Sequence, residues 1–260
     1  MMNLVMNLLI FLFLFSWPIM AAFNYDVGAR VVDKVSDFTA RIYSASYLSY
    51  FVLTSGAINS TSLYRQTQLA LYPTAVVYKS QITDIYAGFE DGRFILSTDK
   101  ASDFAIPRPG QSEIPIVQYE TKPGGYLGAF VFNDTYDCRK RPWYIQAKAA
   151  GYSLWSTPYP NSGNFIPVIT LVLPIYDGNR HFTGVLGADV FLTQISSFLN
   201  ASFHGQDRRV FIVDKLTMNL LGDSGNAQTA VLVNGSPVWT FLYTSRLFYP
   251  IIHFFFRHLW

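Results

Sequence analysis

The densest chemistry in the chain is the nine-residue block Tyr136-Asp137-Cys138-Arg139-Lys140-Arg141-Pro142-Trp143-Tyr144, which holds three cations and three rings. Pro142 predicts the first turn of a helix over 142–150. A helix N-terminus favours anions, and an arginine offers a two-pronged fork to a carboxylate. Rings beside it can enclose an ammonium through cation–π contact. Asp189 lies inside the apolar run Gly184 to Val190. A carboxylate in a buried strand is costly unless it is paired. Together, Arg141 and Asp189 could hold the two ends of a zwitterion. They could equally pair with one another or with backbone, and the chemistry of the residues leaves both possibilities open.

Other combinations are weaker. Gly222-Asp223-Ser224-Gly225 matches the tetrad around the nucleophile of trypsin-like proteases, but no Ala-His-Cys segment precedes it, and a triad needs a positioned His and Asp. Asp, Ser and Gly after a strand are ordinary turn residues. His181, His204, His253 and His258 show no ligand spacing with each other or with Cys138, so no metal is expected. No glycine-rich phosphate loop is present and no cofactor is expected. The single cysteine excludes an intramolecular disulfide. With 14% charged residues, a net charge of +2 and no basic run of five, nucleic-acid binding is not expected.

The elements that must position these residues follow from periodicity. From Asn24 to Leu71 no proline occurs, and Val31, Val35, Phe38, Ile42 and Ala45 recur at helical spacing, with Leu48 and Val52 continuing nearby. Arg30, Asp33, Lys34 and Asp37 lie off that stripe, which predicts a long amphipathic helix. Gly56 is placed to end or kink it, and Pro73 to lie past a second helical piece. Two runs, 85–89 and 93–96, flank Glu90-Asp91-Gly92 and predict a hairpin. Residues 99–125, rich in Pro, Gly and Ser, read as a surface loop. Strands are predicted over 128–132, over 168–173 between Pro167 and Pro174, and over 182–190 after the Asp177-Gly178-Asn179 turn. A helix follows over 192–199 and a strand over 209–214. The order gives an α+β fold, one antiparallel sheet flanked by helices. Aromatics make up 17% of the chain, which suits a ring-lined pocket but also an ordinary β-rich core.

The N-terminus bears on location. Met1 to Ala22 carries no charge and Leu8 to Phe15 is continuously apolar, ahead of Ala21 and Ala22. Residues 1–22 therefore read as a signal peptide, although no Lys or Arg opens them, or as an uncleaved anchor from Leu4 to Phe23. A buried helix is the bland reading. Sequons at Asn59, Asn133, Asn200 and Asn234 add support for export and mark candidate glycosylation sites. The apolar stretch 247–256 is too short to span a bilayer.

The chained motifs resemble one family. Arg141-Pro142-Trp143-Tyr144, Ala147, Trp155 to Tyr159, Ile169 to Tyr176 and Gly184 to Val190 are similar to the double Cache (dCache) extracellular sensors of chemoreceptors, sensor kinases and cyclases, also found in calcium-channel α2δ subunits. The resemblance covers about 25–215 and is densest over 128–195. It implies a long N-terminal helix (24–73), a PAS-like, membrane-distal lobe that holds the ligand (75–200), and a second, membrane-proximal lobe of which only part is present (205–240), leaving 241–260 as an unassigned apolar tail. By likeness to the amino-acid-sensing subset, Tyr136, Arg141 and Trp143 would hold a ligand carboxylate. Tyr144 and Asp189 would hold the amine, with Tyr159 lining the pocket. The chain departs at Asn161, where that subset carries Asp, and the loss of charge weakens the hold on an ammonium. The resemblance thus implies a non-enzymatic sensor of a small amino-acid-like or carboxylate ligand, outside the cell, attached to the membrane through its N-terminal segment, with the long helix as a possible homodimer contact. A channel-subunit-like structural module, a secreted binding protein, and a hydrolase built on Ser224 are the competing readings.

Overall fold

The computed structural model describes residues 9–12, 18–56, 58, 62–110, 112–203, 209–214, 219–225, 229–233, 236–239 and 251–256. Of the segment read as signal peptide or anchor, Leu9–Leu12 forms strand β1, and Pro18 opens helix α1 (Pro18–Thr54). Among the described residues no helix is long and apolar enough to cross a membrane. Sequons Asn59 and Asn234 lie outside the described residues.

Helix α1 forms where its stripe predicts. Val31, Val35, Ile42 and Ala45 are buried, and Arg30, Asp33, Lys34 and Asp37 are exposed. Beyond Ala45 the expected phase is wrong: Leu48 is 56% exposed and Ser49 is buried instead. Ser49 shares a 2.7 Å hydrogen bond with Thr74, so a polar pair takes the place that apolar spacing assigned to leucine. Thr74 belongs to the second helical piece, which comprises α2 (Leu63–Gln66), a π-helical stretch (Thr67–Leu71) and α3 (Tyr72–Val77). Pro73 starts α3 rather than lying past the helix. Its missing N–H and its ring disturb the preceding turn, where the backbone widens to the π form.

The main sheet is built from β2 (Asp84–Phe89), β3 (Phe94–Ser97), β4 (Ala101–Ala105), β5 (Pro115–Lys122), β6 (Tyr126–Thr135), β7 (Leu154–Trp155), β8 (Tyr159–Pro160), β9 (Pro167–Tyr176) and β10 (Phe182–Phe191). Its order is β6-β5-β4-β3-β2-β10-β9-β7, with β8 also paired to β9. Strands β4 and β5 correct the expectation of a loop over 99–125. Pro107 and Pro109 sit in the connection, and Pro115 is the first residue of β5, where a strand tolerates proline. Pro174 likewise lies inside β9, which runs on to Tyr176.

Side chains alternate across the sheet, and register fixes which residues share a face. Ile85, Ala87, Ile95, Phe104, Leu186 and Ala188 form one buried face. The opposite face carries Tyr86, Gly88, Phe94, Leu96, Asp103, Gly187 and Asp189. Helix α4 (Pro142–Ala150) opens on proline and ends at Gly151, whose φ of 76° is the left-handed cap that glycine adopts freely.

The chain divides into two compact units. One comprises residues 41–157 and 170–190; the other comprises 1–40, 158–169 and 191–260. In the latter, α5 (Leu192–Phe203) stacks Phe198 on Phe38 of α1, ring centroids 4.4 Å apart. A four-stranded sheet runs β1-β15-β11-β12, with β11 (Arg209–Asp214), β12 (Leu220–Asp223) and β15 (Ile251–Phe256). Strands β13 (Ala230–Val233) and β14 (Ser236–Trp239) pair with each other. Part of the unassigned tail, residues 251–256, is therefore a strand.

Candidate functional site

Asp189 anchors the site. It lies on β10, is 3% exposed, and its Oδ1 accepts two hydroxyl groups, from Tyr86 and from Thr170, both at 2.6 Å. Such short bonds to a carboxylate are what allow a charge to remain in a dry interior. Thr170 is held in turn: its N–H donates to Ser156 Oγ, and its carbonyl accepts from the Ser156 N–H. Tyr86 reaches across from β2 because the residue opposite it is Gly187. A Cβ at Gly187 would collide with the Tyr86 ring, so a glycine within the strand marks a close approach. Neither Tyr86 nor Thr170 was singled out from sequence. The usable signals were Gly187 and the lone polar residue in the 168–173 run.

One strand position on, Gly88 repeats the device. A Cβ there would lie 2.7 Å from Cys138 Sγ and 2.9 Å from the Trp143 ring, so the indole sits directly on the sheet. Trp143 is 1% exposed and packs on Tyr86 with centroids 4.8 Å apart. Tyr136 packs tilted against Phe94, ring centroids 4.7 Å apart. The Tyr136 phenol, pushed well up by burial, accepts the Trp143 side-chain hydrogen bond. It also feels two opposed charges: Arg141 favours its ionised form and Asp189 opposes it. A cation and an anion thus both act on one phenol within an aromatic cluster.

The three cations of the block are separated by their local structure. Arg139 binds Asp137, Nε to Oδ1 at 2.8 Å, and Asp137 also caps the short 3-10 turn Cys138–Lys140. The side-chain hydrogen bond from Arg139 holds the Asp137 carboxyl below its ordinary range. Arg141 is the half-buried N-cap of α4, held extended ahead of Pro142. Cys138 is buried, and burial pushes its thiol up to about 12, which leaves it unreactive.

Tyr136 and Trp143 lie in one aromatic cluster with Tyr86, the residue that binds Asp189, and Arg141 opens the helix that carries Trp143. The Tyr144 ring packs edge-on against Trp143, centroids 5.4 Å apart, but its hydroxyl goes elsewhere. Its hydroxyl donates to Glu90 Oε1 at 2.8 Å, beside the Lys148–Glu90 ion pair. Glu90 N–H pairs with the Thr183 carbonyl, and Thr183 stands six residues from Asp189 along β10, about 20 Å at strand spacing. The reading in which Tyr144 and Asp189 share one ammonium is corrected on this ground, and Tyr86 occupies the corresponding place beside Asp189. Tyr159 and Asn161 belong to the other compact unit. Tyr159 is buried on β8 opposite Val168. Asn161 closes a loop, its Oδ1 accepting from the Gly163 N–H at 2.8 Å.

The Gly222–Gly225 tetrad is structural. Ser224 Oγ accepts from the Val210 N–H at 2.9 Å, and Asp223 is bound by Arg209 through two hydrogen bonds. Of the sequon asparagines, Asn133 is exposed on β6, whereas the Asn200 amide donates to the Ser224 carbonyl.

Residues 57–197, more than half the chain, match the family model of the methyl-accepting chemotaxis protein-like, first PDC sensor domain. The chain belongs to this family. As a member of it the chain is a sensor domain and not an enzyme. The methyl-accepting chemotaxis protein PctB of Pseudomonas aeruginosa is 33% identical to it over 78 residues, which cover 30% of this chain and 12% of that protein. The sensor domain also resembles two solved structures of the ligand-binding domain of PctB from P. aeruginosa PAO1. The complex with L-Arg aligns at TM-score 0.52 and 18% identity over 78% of this chain and 65% of that one. The complex with L-Gln aligns at 0.50 and 19% over 76% and 65%. At such identities the likeness speaks for the fold, and the chain spans less than two thirds of either structure's length.

Proposed function

We propose that this sensor domain is the extracellular ligand-binding part of a membrane chemoreceptor, and that its ligand carries an ammonium close to a carboxylate, as an amino acid does. The observation that carries the reading is the buried Asp189 carboxylate, held by the Tyr86 and Thr170 hydroxyls, with Tyr86 packed on Trp143 two residues after Arg141, the N-cap of α4. Arg141 offers the fork for the carboxylate, with Tyr136 and Trp143 beside it. Asp189, oriented by Tyr86 and Thr170, faces the ammonium. The ligand-binding domain of PctB, an amino-acid chemoreceptor, solved with L-Gln and with L-Arg, supports the same ligand class. The N-terminal segment attaches the domain to the membrane, and α1 carries the change on binding toward it and supplies the contact for a second copy.

Calorimetric titration with a panel of amino acids tests the reading. Binding by the wild-type chain, lost by roughly a hundredfold in Arg141→Ala and in Asp189→Asn, is the expected result, since each variant removes a charge-assisted contact. A folded wild-type chain that binds no amino acid, or an Arg141→Ala variant of undiminished affinity, would overturn it.

A further inference from the structure

One row of side chains crosses the ligand face of the sheet: Tyr86 on β2, Leu96 on β3, Asp103 on β4, Gln118 on β5 and Phe132 on β6, each opposite the next in register. The row begins at the residue that binds Asp189. It passes Leu96, half-exposed although β3 lies between two strands, so the face is open above it. It then reaches Asp103, which is only 8% exposed. Two strand spacings, about 10 Å, separate Tyr86 from Asp103, and three, about 14 Å between backbones, separate the Asp189 strand from it, a gap that the two acidic side chains shorten from either end.

Asp103 has an incomplete environment. Its Oδ1 accepts from Gln118 Nε2 at 2.8 Å, and no cation among the described residues pairs with it. Its neighbours on the same face, Phe94, Thr98, Ala101, Ala105, Ile116 and Glu120, include no positive charge. Burial pushes its carboxyl up to about 6. Gln118 gives an N–H to Asp103 and has an amide oxygen that can act as a further acceptor. The Asp103 carboxylate, held by one hydrogen bond and with no cation among the described residues, matches a donor-only group such as an ammonium or a guanidinium.

We infer that Asp103 and Gln118 form the far end of the ligand site and select amino acids whose side chain ends in a cation, of the length of ornithine, lysine or arginine. The inference rests on the amino-acid reading above. With the α-ammonium at Asp189, an extended side chain runs over Leu96 and meets Asp103. The stem lies on an apolar residue and the terminal charge supplies the partner that the buried carboxylate lacks.

Titration of the full chain with L-arginine and with L-norvaline, which has the stem without the guanidinium, tests this. The wild type is expected to bind L-arginine at least about tenfold tighter than L-norvaline, the worth of one charge-assisted hydrogen bond in a partly buried site. Asp103→Asn, which is isosteric and still accepts from Gln118, is expected to bring that ratio to within about threefold of unity. Equal binding of the two ligands by the wild type overturns the inference and leaves the amino-acid reading standing. So does a preference that survives in Asp103→Asn, or an Asp103→Asn variant that binds neither ligand. A folded wild type that binds neither overturns the inference, and one that binds no amino acid of the wider panel overturns the amino-acid reading as well.

Discussion

Tyr86 and Asp189 sit on neighbouring strands, and the tyrosine hydroxyl donates to the aspartate Oδ1 at 2.6 Å across a position where the opposing residue is glycine. The bond joins a sheet-packing decision to a binding decision. Gly187 gives the ring room to lie flat along the strand, and the ring brings its hydroxyl to the one acid in the β10 run. Tyr86→Phe keeps the ring and deletes the bond. Removing a partner from a buried charged group costs about 1–3 kcal/mol. Urea unfolding should show that loss, and amino-acid affinity should fall because Asp189 is no longer aimed. Unchanged stability and unchanged affinity together would show that the bond orients nothing.

Gly187→Ala acts on the same relationship from the other side. Its Cβ would land on the Tyr86 ring, and forcing a buried ring aside costs about 1–3 kcal/mol. Gly178→Ala, in the turn before β10, meets nothing within 4 Å and serves as the control, with stability changed by less than about 0.5 kcal/mol. Thermal unfolding of the two variants should differ by several degrees, and only Gly187→Ala should weaken binding.

The long helix, the 84–97 hairpin, α4 and β10 were legible because their apolar periods and turn residues agree with their tertiary environment. Strands β4 and β5 were not. Their faces are mixed in character, Asp103 and Gln118 pair as polar residues on the face that carries Tyr86, and prolines flank them, so the composition read as a loop. The helical stripe failed at Leu48 because a hydrogen-bonded pair, Ser49 with Thr74, fills the buried phase there. Within the site, the Arg141 block and Asp189 announced themselves by cost or density of charge. Tyr86 and Thr170 did not, since a tyrosine and a threonine in strands are ordinary until register places both hydroxyls on one carboxylate. Tyr144 was misplaced because adjacency to Trp143 in sequence says nothing about which end of β10 its hydroxyl reaches.

Tyr144→Phe follows from that correction. The hydroxyl binds Glu90, which Lys148 also holds by a hydrogen bond that keeps the Glu90 carboxyl below its ordinary range. A lowered value means that this contribution is present above the unfolded carboxylate range and fades as pH falls through the folded one. Because Glu90 and Lys148 are 40% and 53% exposed, the pair contributes less than about 1 kcal/mol. The variant should therefore lose little stability and keep its ligand affinity within about threefold. A loss of affinity as large as that of Asp189→Asn would return Tyr144 to the ligand site.

Asp103 yields the pH prediction. Burial, partly offset by the Gln118 hydrogen bond, raises its carboxyl from 3.8 to about 6 in the folded chain. A raised value means that the folded state holds a proton that the unfolded state has released. The resulting stability is fully present below about 3.8 and is lost as pH rises through about 6. The shift corresponds to at most about 3 kcal/mol at pH 7.5. Asp103→Asn cannot ionise, so it should match the wild type in stability near pH 4 and exceed it by about 1–3 kcal/mol at pH 7.5. Glu120, on the same face two residues beyond Gln118, is exposed and contributes little to the difference. Urea unfolding of both proteins from pH 4 to 8 checks the divergence. Parallel curves would mean that Asp103 is already satisfied without a ligand. If instead the curves part between about pH 4 and 6 and a saturating basic amino acid closes the gap at pH 7.5, the buried charge is a cost in the free protein that its ligand removes.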